Sequence, residues 1–248
     1  MAGDHHVRRE MKIRIGCCGW AEAQKSYMRD FGVIEVQETF YWPGRIEKYE
    51  KWRNAAPPQF EFAVKAWQSI THEPSSPTYR KLRAAVPAAA HKRYGFFRPT
   101  EEVFAAWDVM DMIAQALRAR VILFQSPSSF APSPENERNL RTFFARIDRR
   151  DYTLCWEPRG DWQDKVIKRL CSELDLVHCV DPFRSRPMHG MVRYFRLHGR
   201  PGYNLRYRYK ENDLQELQGM MDRKTAYVLF NNLNMLHDAK RFNCLMAP

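Results

Sequence analysis

TEEVFAAWDVMDMIAQALRARVILFQSP, residues 100–127, carries one complete period of an alternating pattern. Val103, Trp107, Met110, Ala114 and Leu117 recur four and three residues apart, which is one face of an α-helix. Thr100 can cap that helix, and Glu101 and Glu102 suit its positive end. RVILFQSP (120–127) then turns β-branched and almost continuously apolar, as a strand covered on both faces does. Similar runs lie on either side: IRIGCCG (13–19), VIEVQETF (33–40), EFAVKAW (61–67), DYTLCWEPR (151–159), VHCVDPF (177–183), RYFRLHG (193–199) and AYVLFNN (226–232), eight in all.

Helical patterns separate most of them. Arg45 to Ala56 fits one, stopped by Pro57 and Pro58. Ser133 before Pro134 opens another, with Leu140, Phe143, Phe144 and Ile147 on one face. Asp161 is read as the start of a third, carrying Val166, Leu170 and Leu174, and Asn234 as the cap of a last one containing Phe242. Alternation carried to eight strands within 248 residues predicts an α/β fold, a TIM-type (β/α)8 barrel formed by residues 12–248 behind a flexible tail at 1–11. RSRPMHGMV, between Phe183 and Arg193, is too short for a crossover helix, so the sixth and seventh strands should be joined without one. A doubly wound open sheet is the alternative. It has no GxGxxG or GxxxxGK[ST] motif to support a nucleotide site.

The 44% hydrophobic content suits a sizeable core and excludes wholesale disorder. No apolar run is long enough for a membrane span or a signal peptide, and the six cysteines show no CxxC or finger spacing. The expectation is a cytoplasmic protein with reduced thiols and no membrane contact.

Forty Lys and Arg against 29 Asp and Glu give +11, and the surplus is local. Pro74–Thr100 has no acid and six cations, Arg93 and Arg98 among them; Pro182–Lys210 has no acid and eight, including Arg184, Arg186, Arg200, Arg206 and Arg208. The rest of the chain has 26 basic and 29 acidic residues, a balance of −3. Tyr94, Phe96 and Phe97, then Tyr203, Tyr207 and Tyr209, interleave with these cations, a pattern suited to stacked bases and paired phosphates. A solvated basic face is the plainer reading.

Strand side chains alternate between faces, so each run divides by parity. Glu35, Lys65, Gln125, Glu157, Asp181, Arg196, His198 and Asn231 all fall on the less hydrophobic parity, near the end of their strands. With helices on the apolar parity, this set points into the C-terminal mouth, where barrel enzymes keep their chemistry. Trp20 and Tyr41, which follow strands, are expected to wall that mouth, as are Trp42 and Trp67. Cys17 and Cys18 read as core and turn residues.

Gly19-Trp20, EVQETFY (35–41), FAVKAWQSITHE (62–73), LFQSPSSF (123–130), YFRLHGR (194–200) and FNN (230–232) follow one another in an order that resembles the YecE-like family, also called domain of unknown function 72, over almost the whole chain. The resemblance implies a barrel related to the TIM type. The family's biochemical role is not established, and its likeness to endonuclease-IV-type barrels is an analogy. Cys18 stands where the family commonly has Ser, Gln37-Glu38 where EVNSTFY is usual, and WEPRGDW (156–162) departs from the typical stretch while keeping Glu157.

Two mechanisms fit the polar set. In a phosphodiester hydrolase acting on nucleic acid, Lys65, Arg159 and Arg196 hold phosphate oxygens, Glu157 or Glu35 activates water, and His198 supplies a proton. A divalent metal on Glu157, Asp181 and His198 belongs to the same scheme. In a small-molecule barrel enzyme acting on a sugar, sugar phosphate or other anion, Glu35 and Glu157 act as paired carboxylates, or Lys65 as a Schiff-base nucleophile. A nucleic-acid-binding barrel without catalysis is a third reading.

Overall fold

Eight parallel strands hydrogen-bond in chain order, and β8 closes back on β1, which removes the open-sheet alternative. The structure, a computed structural model, describes residues 12–81, 86–222 and 224–247; the expected tail at 1–11 lies outside them. The first third contains β1 (Ile13–Cys18), α1 (Gln24–Asp30), β2 (Val33–Val36), α2 (Glu38–Tyr41), α3 (Ile46–Ala55), β3 (Glu61–Lys65) and α4 (Gln68–Thr71). Two 3-10 turns (Pro77–Lys81 and Ala88–Arg93) lead to α5 (Glu101–Leu117) and β4 (Val121–Gln125). There follow α6 (Pro134–Arg146), β5 (Thr153–Glu157), α7 (Asp164–Glu173), β6 (Val177–Val180), β7 (Arg193–Leu197), α8 (Glu211–Gly219), β8 (Ala226–Phe230) and α9 (Met235–Met246). β6 runs to β7 without a helix, as the short link requires. No helix among the described residues is long and apolar enough to cross a membrane.

The two strand parities pack into two separate cores. Val33, Ala63, Val121, Leu123, Cys155, Cys179, Tyr194 and Leu229 fill the barrel interior. The opposite parity joins the helices in a larger core rich in rings, where Phe97, Phe124, Phe143, Phe144 and Trp107 lie edge to face or tilted against one another. Cys17 is buried in the outer core and Cys18 against the interior one, so both serve as packing. Burial pushes the Cys17 thiol up to about 12.

Three local expectations are corrected. The run at 33–40 is strand only to Val36, because Thr39 folds back and its hydroxyl donates to the Val36 and Lys65 carbonyls at 3.0 and 2.6 Å. The helix expected at Asp161 starts at Asp164. The Trp162 indole donates to the Phe130 carbonyl at 2.8 Å, which keeps the preceding residues as a loop packed on the neighbouring one. Thr100 is an N-cap by backbone alone, its hydroxyl donating instead to the Arg93 carbonyl at 2.6 Å. Ser133 does cap α6, accepting from the Asn136 N–H at 3.1 Å with Pro134 in the first turn.

Candidate functional site

Above the apolar floor of the barrel, the inward-facing residues become charged. Arg196 of β7 is wholly enclosed between two carboxylates from β2 and β5. Its Nη2 donates to Glu35 Oε1 at 2.9 Å and its Nη1 to Glu157 Oε2 at 2.5 Å. Glu35 also accepts from the Tyr194 hydroxyl at 2.7 Å and from the Gln37 amide. Glu157 passes its other oxygen to Arg159 Nη2 at 2.6 Å. Burial pushes the Glu157 carboxyl up, but the Arg196 and Arg159 guanidiniums outweigh it and hold the group at about 2. Charges this deep persist because each has a partner; removing one would strand the others.

Lys65, the last residue of β3, differs. It is buried, its ammonium rests 3.9 Å from the centre of the Phe40 ring, and among the described residues it donates no hydrogen bond. Burial, then the nearby Arg196 charge, pulls it down to about 7, so near neutrality it exchanges its proton readily. His72 faces the same charge: burial and then Lys65 hold it at about 3, a neutral ring against Phe40.

His198 lies just past β7, across the eight-strand ring from Lys65 on β3. Its backbone N–H donates to Asp181 Oδ2 at 3.0 Å, and Asp181 Oδ1 accepts from the Phe183 N–H at 3.1 Å, so the loop after β6 braces the tip of β7. Arg159 Nη2 sits 2.9 Å from His198 Nε2. A guanidinium can only donate, so Nε2 is the acceptor and the ring proton sits on Nδ1, 3.6 Å from Asp181 Oδ2. Burial depresses the His198 pKa, with Asp181 partly opposing it.

Tyr203 roofs this corner, half exposed, its ring centre 4.1 Å from the Arg159 guanidinium, 4.3 Å from that of Arg184 and 4.9 Å from the His198 ring. The roof depends on Gly199 at φ +89°, where a Cβ would come within 2.0 Å of the Asn204 carbonyl oxygen. Beneath lies a cavity of about 130 Å³ touched by Glu157, His178, Asp181, Arg184 and Tyr203.

The parity set therefore does converge, with differences in role. Glu35 and Arg196 are sealed and paired with one another, so neither is free to meet water or a phosphate, against the expectation for both. Glu157 is ion-paired on both oxygens and a poor base. Gln125 and Asn231 end β4 and follow β8, both half-buried. Trp20 has the inward parity yet packs outward on Tyr27, Trp52 and Phe60, because Gly19 at φ +106° breaks the strand before it. Tyr41 is half-buried beside Phe40, at the end of α2.

The cationic rim is thinner than the windows imply. Arg93 pairs with Glu102, Arg98 with Glu73 at 2.6 Å, and Arg200 with Asp213 and Glu216, both at 2.8 Å. Arg186 faces a hollow of the outer wall shared with Arg193 and Asp222. Arg184, Arg206 and Arg208 are exposed. Among the described residues no three His, Cys, Asp or Glu side chains come together as a metal would need; Glu157, Asp181 and His198 do not form such a set. Tyr194 shares the parity of Arg196 and could have been found that way, whereas Phe40 and His72 reach the mouth through short helices that carry no pattern of their own.

A model of the family described as a protein of unknown function, DUF72, matches residues 14–247. The UPF0759 protein YunF of Bacillus subtilis is 25% identical over 269 residues, covering 89% of this chain and 88% of that protein. A solved DUF72 family protein from Enterococcus faecalis superposes with a TM-score of 0.70 at 19% identity, covering 96% of each chain. An AP endonuclease, family 2, from Brucella melitensis shares the fold at TM-score 0.57 and 10% identity, covering 96% of this chain and all of that one (100%).

Proposed function

The chain belongs to the DUF72 family, and from that starting point we propose that its barrel mouth binds a phosphate-bearing ligand, best read as a nucleic-acid strand, and hydrolyses a phosphodiester. The observation that carries this reading is a neutral His198 backed by Asp181 on one side of the mouth, opposite Lys65 on the other, with the Arg159 guanidinium hydrogen-bonded to His198 and its charge felt at Lys65. In-line displacement at phosphorus needs a base and an acid on opposite sides of the phosphoryl group. A phosphate entering the mouth competes for the Arg159 guanidinium and draws it off His198 Nε2, which frees that lone pair. Nε2 then takes a proton from water as the oxygen attacks phosphorus. The bond to the leaving oxygen breaks, and the Lys65 ammonium protonates that oxygen. Arg184 and Tyr203 at the rim suit the flanking phosphate and a stacked base. The neighbour named an AP endonuclease makes DNA the first substrate to try.

Anisotropy with labelled single strands, duplexes and abasic duplexes across salt, followed by a cleavage assay, tests the reading. A steep fall of affinity with log salt is expected. Arg159→Ala weakens binding, and His198→Asn abolishes cleavage while binding persists. Full cleavage in both variants refutes the assignment. Binding without cleavage in the parent protein leaves the barrel as a scaffold.

One observation favours a small-molecule reading: a buried lysine without a carboxylate partner, held near 7, is the form in which an amine attacks a carbonyl. Borohydride trapping across a panel of sugars and sugar phosphates tests it. No adduct at Lys65 across that panel removes it.

A further inference from the structure

The opposite pole of the barrel has a charge problem of its own. Where the strands begin, a cleft of about 440 Å³ is lined by Lys12, Arg14, Arg53, Arg118, Arg120 and a single acid, Glu61. Glu61 is used up locally: one oxygen accepts from Arg14, the other from the Tyr227 hydroxyl at 2.8 Å. Arg53 is fixed by three carbonyls around the end of α3, those of Phe60 at 2.7 Å, Ala56 at 3.1 Å and Pro57 at 2.5 Å. Those bonds place the guanidinium without neutralising it. Burial and then the Arg118 charge pull its pKa down, so the repulsion between the two is felt in the folded protein. Lys12, Arg118 and Arg120 are exposed, and among the described residues none has a carboxylate partner. Carbonyls at the C-terminal ends of helices attract cations, which accounts for Arg53. They do not account for Lys12 and Arg120 converging on the same hollow.

We infer that this cleft is a binding site for a small polyphosphate, a ligand with three or four negative charges. Four cations are left over after Arg14 and Glu61 cancel. A concave wall focuses their field, and the volume falls in the range of small-molecule sites, roughly 300–1,000 Å³. Phosphate fits better than carboxylate because it carries more charge per volume and matches the guanidinium fork. The five- and six-residue strands, at about 3.3 Å per residue, separate this pole from the mouth by roughly 15–20 Å. One small ligand cannot span both, so the site stands or falls independently of any chemistry at the mouth.

Calorimetry on the full chain at low salt, with tripolyphosphate and with citrate as probes, tests the inference. Arg118 occupies a left-handed position at φ 50°, so Arg118→Asn combined with Arg120→Glu removes charge while respecting the backbone. With the mouth's phosphate clamp removed by Arg159→Ala, tripolyphosphate should still bind, and adding the double variant to that background should cost about tenfold or more in affinity. Equal affinity with and without the double variant, or no binding at all once Arg159 is replaced, overturns the site. Citrate binding as tightly as tripolyphosphate overturns the choice of phosphate.

Discussion

Replacing Lys65 with methionine should make the protein more stable, which is unusual for a change deep in a barrel. Lysine falls from 10.5 to about 7 on folding because burial, and then Arg196, disfavour its charge. A base whose folded pKa lies below its unfolded one binds fewer protons when folded. Its penalty is therefore complete below about pH 7 and fades as the pH climbs to 10.5. At 1.36 kcal/mol for each tenfold, a drop from 10.5 to about 7 amounts to roughly 5 kcal/mol at the acid end of that window. Methionine keeps the length and volume, leaves the Phe40 contact apolar and has no charge to desolvate. Allowing for imperfect packing, about 2–4 kcal/mol of gain is expected at pH 6, or several degrees in Tm for a chain of 248 residues. Paired urea and thermal melts at pH 6 and pH 9.5 read it out. The gain should shrink markedly at the higher pH. A variant that is less stable at pH 6, or whose advantage does not depend on pH, refutes the reasoning. A stabilised variant without activity would mark Lys65 as a residue retained for function at the expense of the fold.

Arg196→Met leaves Glu35 buried without its guanidinium and Glu157 with Arg159 alone, so a loss of about 3–5 kcal/mol at pH 7 is expected in denaturant melts. That loss should diminish toward acid pH, where protonation relieves the carboxylates that have lost Arg196, whereas the parent keeps Glu157 ionised down to about 2. Under the proposed mechanism, cleavage would need His198 neutral and Lys65 protonated. kcat/KM should therefore fall about tenfold per pH unit above roughly 8, with the acid limb below the ordinary histidine range. Lys65→Arg, which stays charged, should flatten the alkaline limb. Gly199→Ala forces a Cβ against the Asn204 carbonyl and should cost about 1–3 kcal/mol in a urea melt. It should also speed proteolysis of the loop holding Tyr203.

The barrel was legible because parallel strands buried on both faces leave unbroken apolar runs, and because Ser133-Pro134 and Pro57-Pro58 punctuate the helices. Parity found the inward set, since Glu35, Glu157 and Arg196 obey the period of two wherever the backbone stays extended. It failed at Trp20, where one positive-φ glycine resets the direction of every later side chain. Charge windows failed differently. They count cations along the chain, but Glu102, Asp213, Glu216 and Asp222 arrive from outside those windows and neutralise Arg93, Arg200 and Arg193. The locking of Glu35 and Glu157 by Arg196 was also beyond reach, because strands from three places in the chain must first meet.

The helix-free link from β6 to β7 leaves residues 181–192 with two duties. Asp181 anchors the backbone of His198, Arg184 stacks on Tyr203, and farther along the His189 carbonyl receives the His178 N–H at 3.0 Å, stitching the segment to the outside of β6. Elsewhere in the barrel a loop can be rewritten while the helix behind it keeps the wall intact. Here cladding and the polar corner of the mouth are the same thread, so this stretch should tolerate insertions least, and evolutionary tinkering with the mouth would have to enter through the other loops.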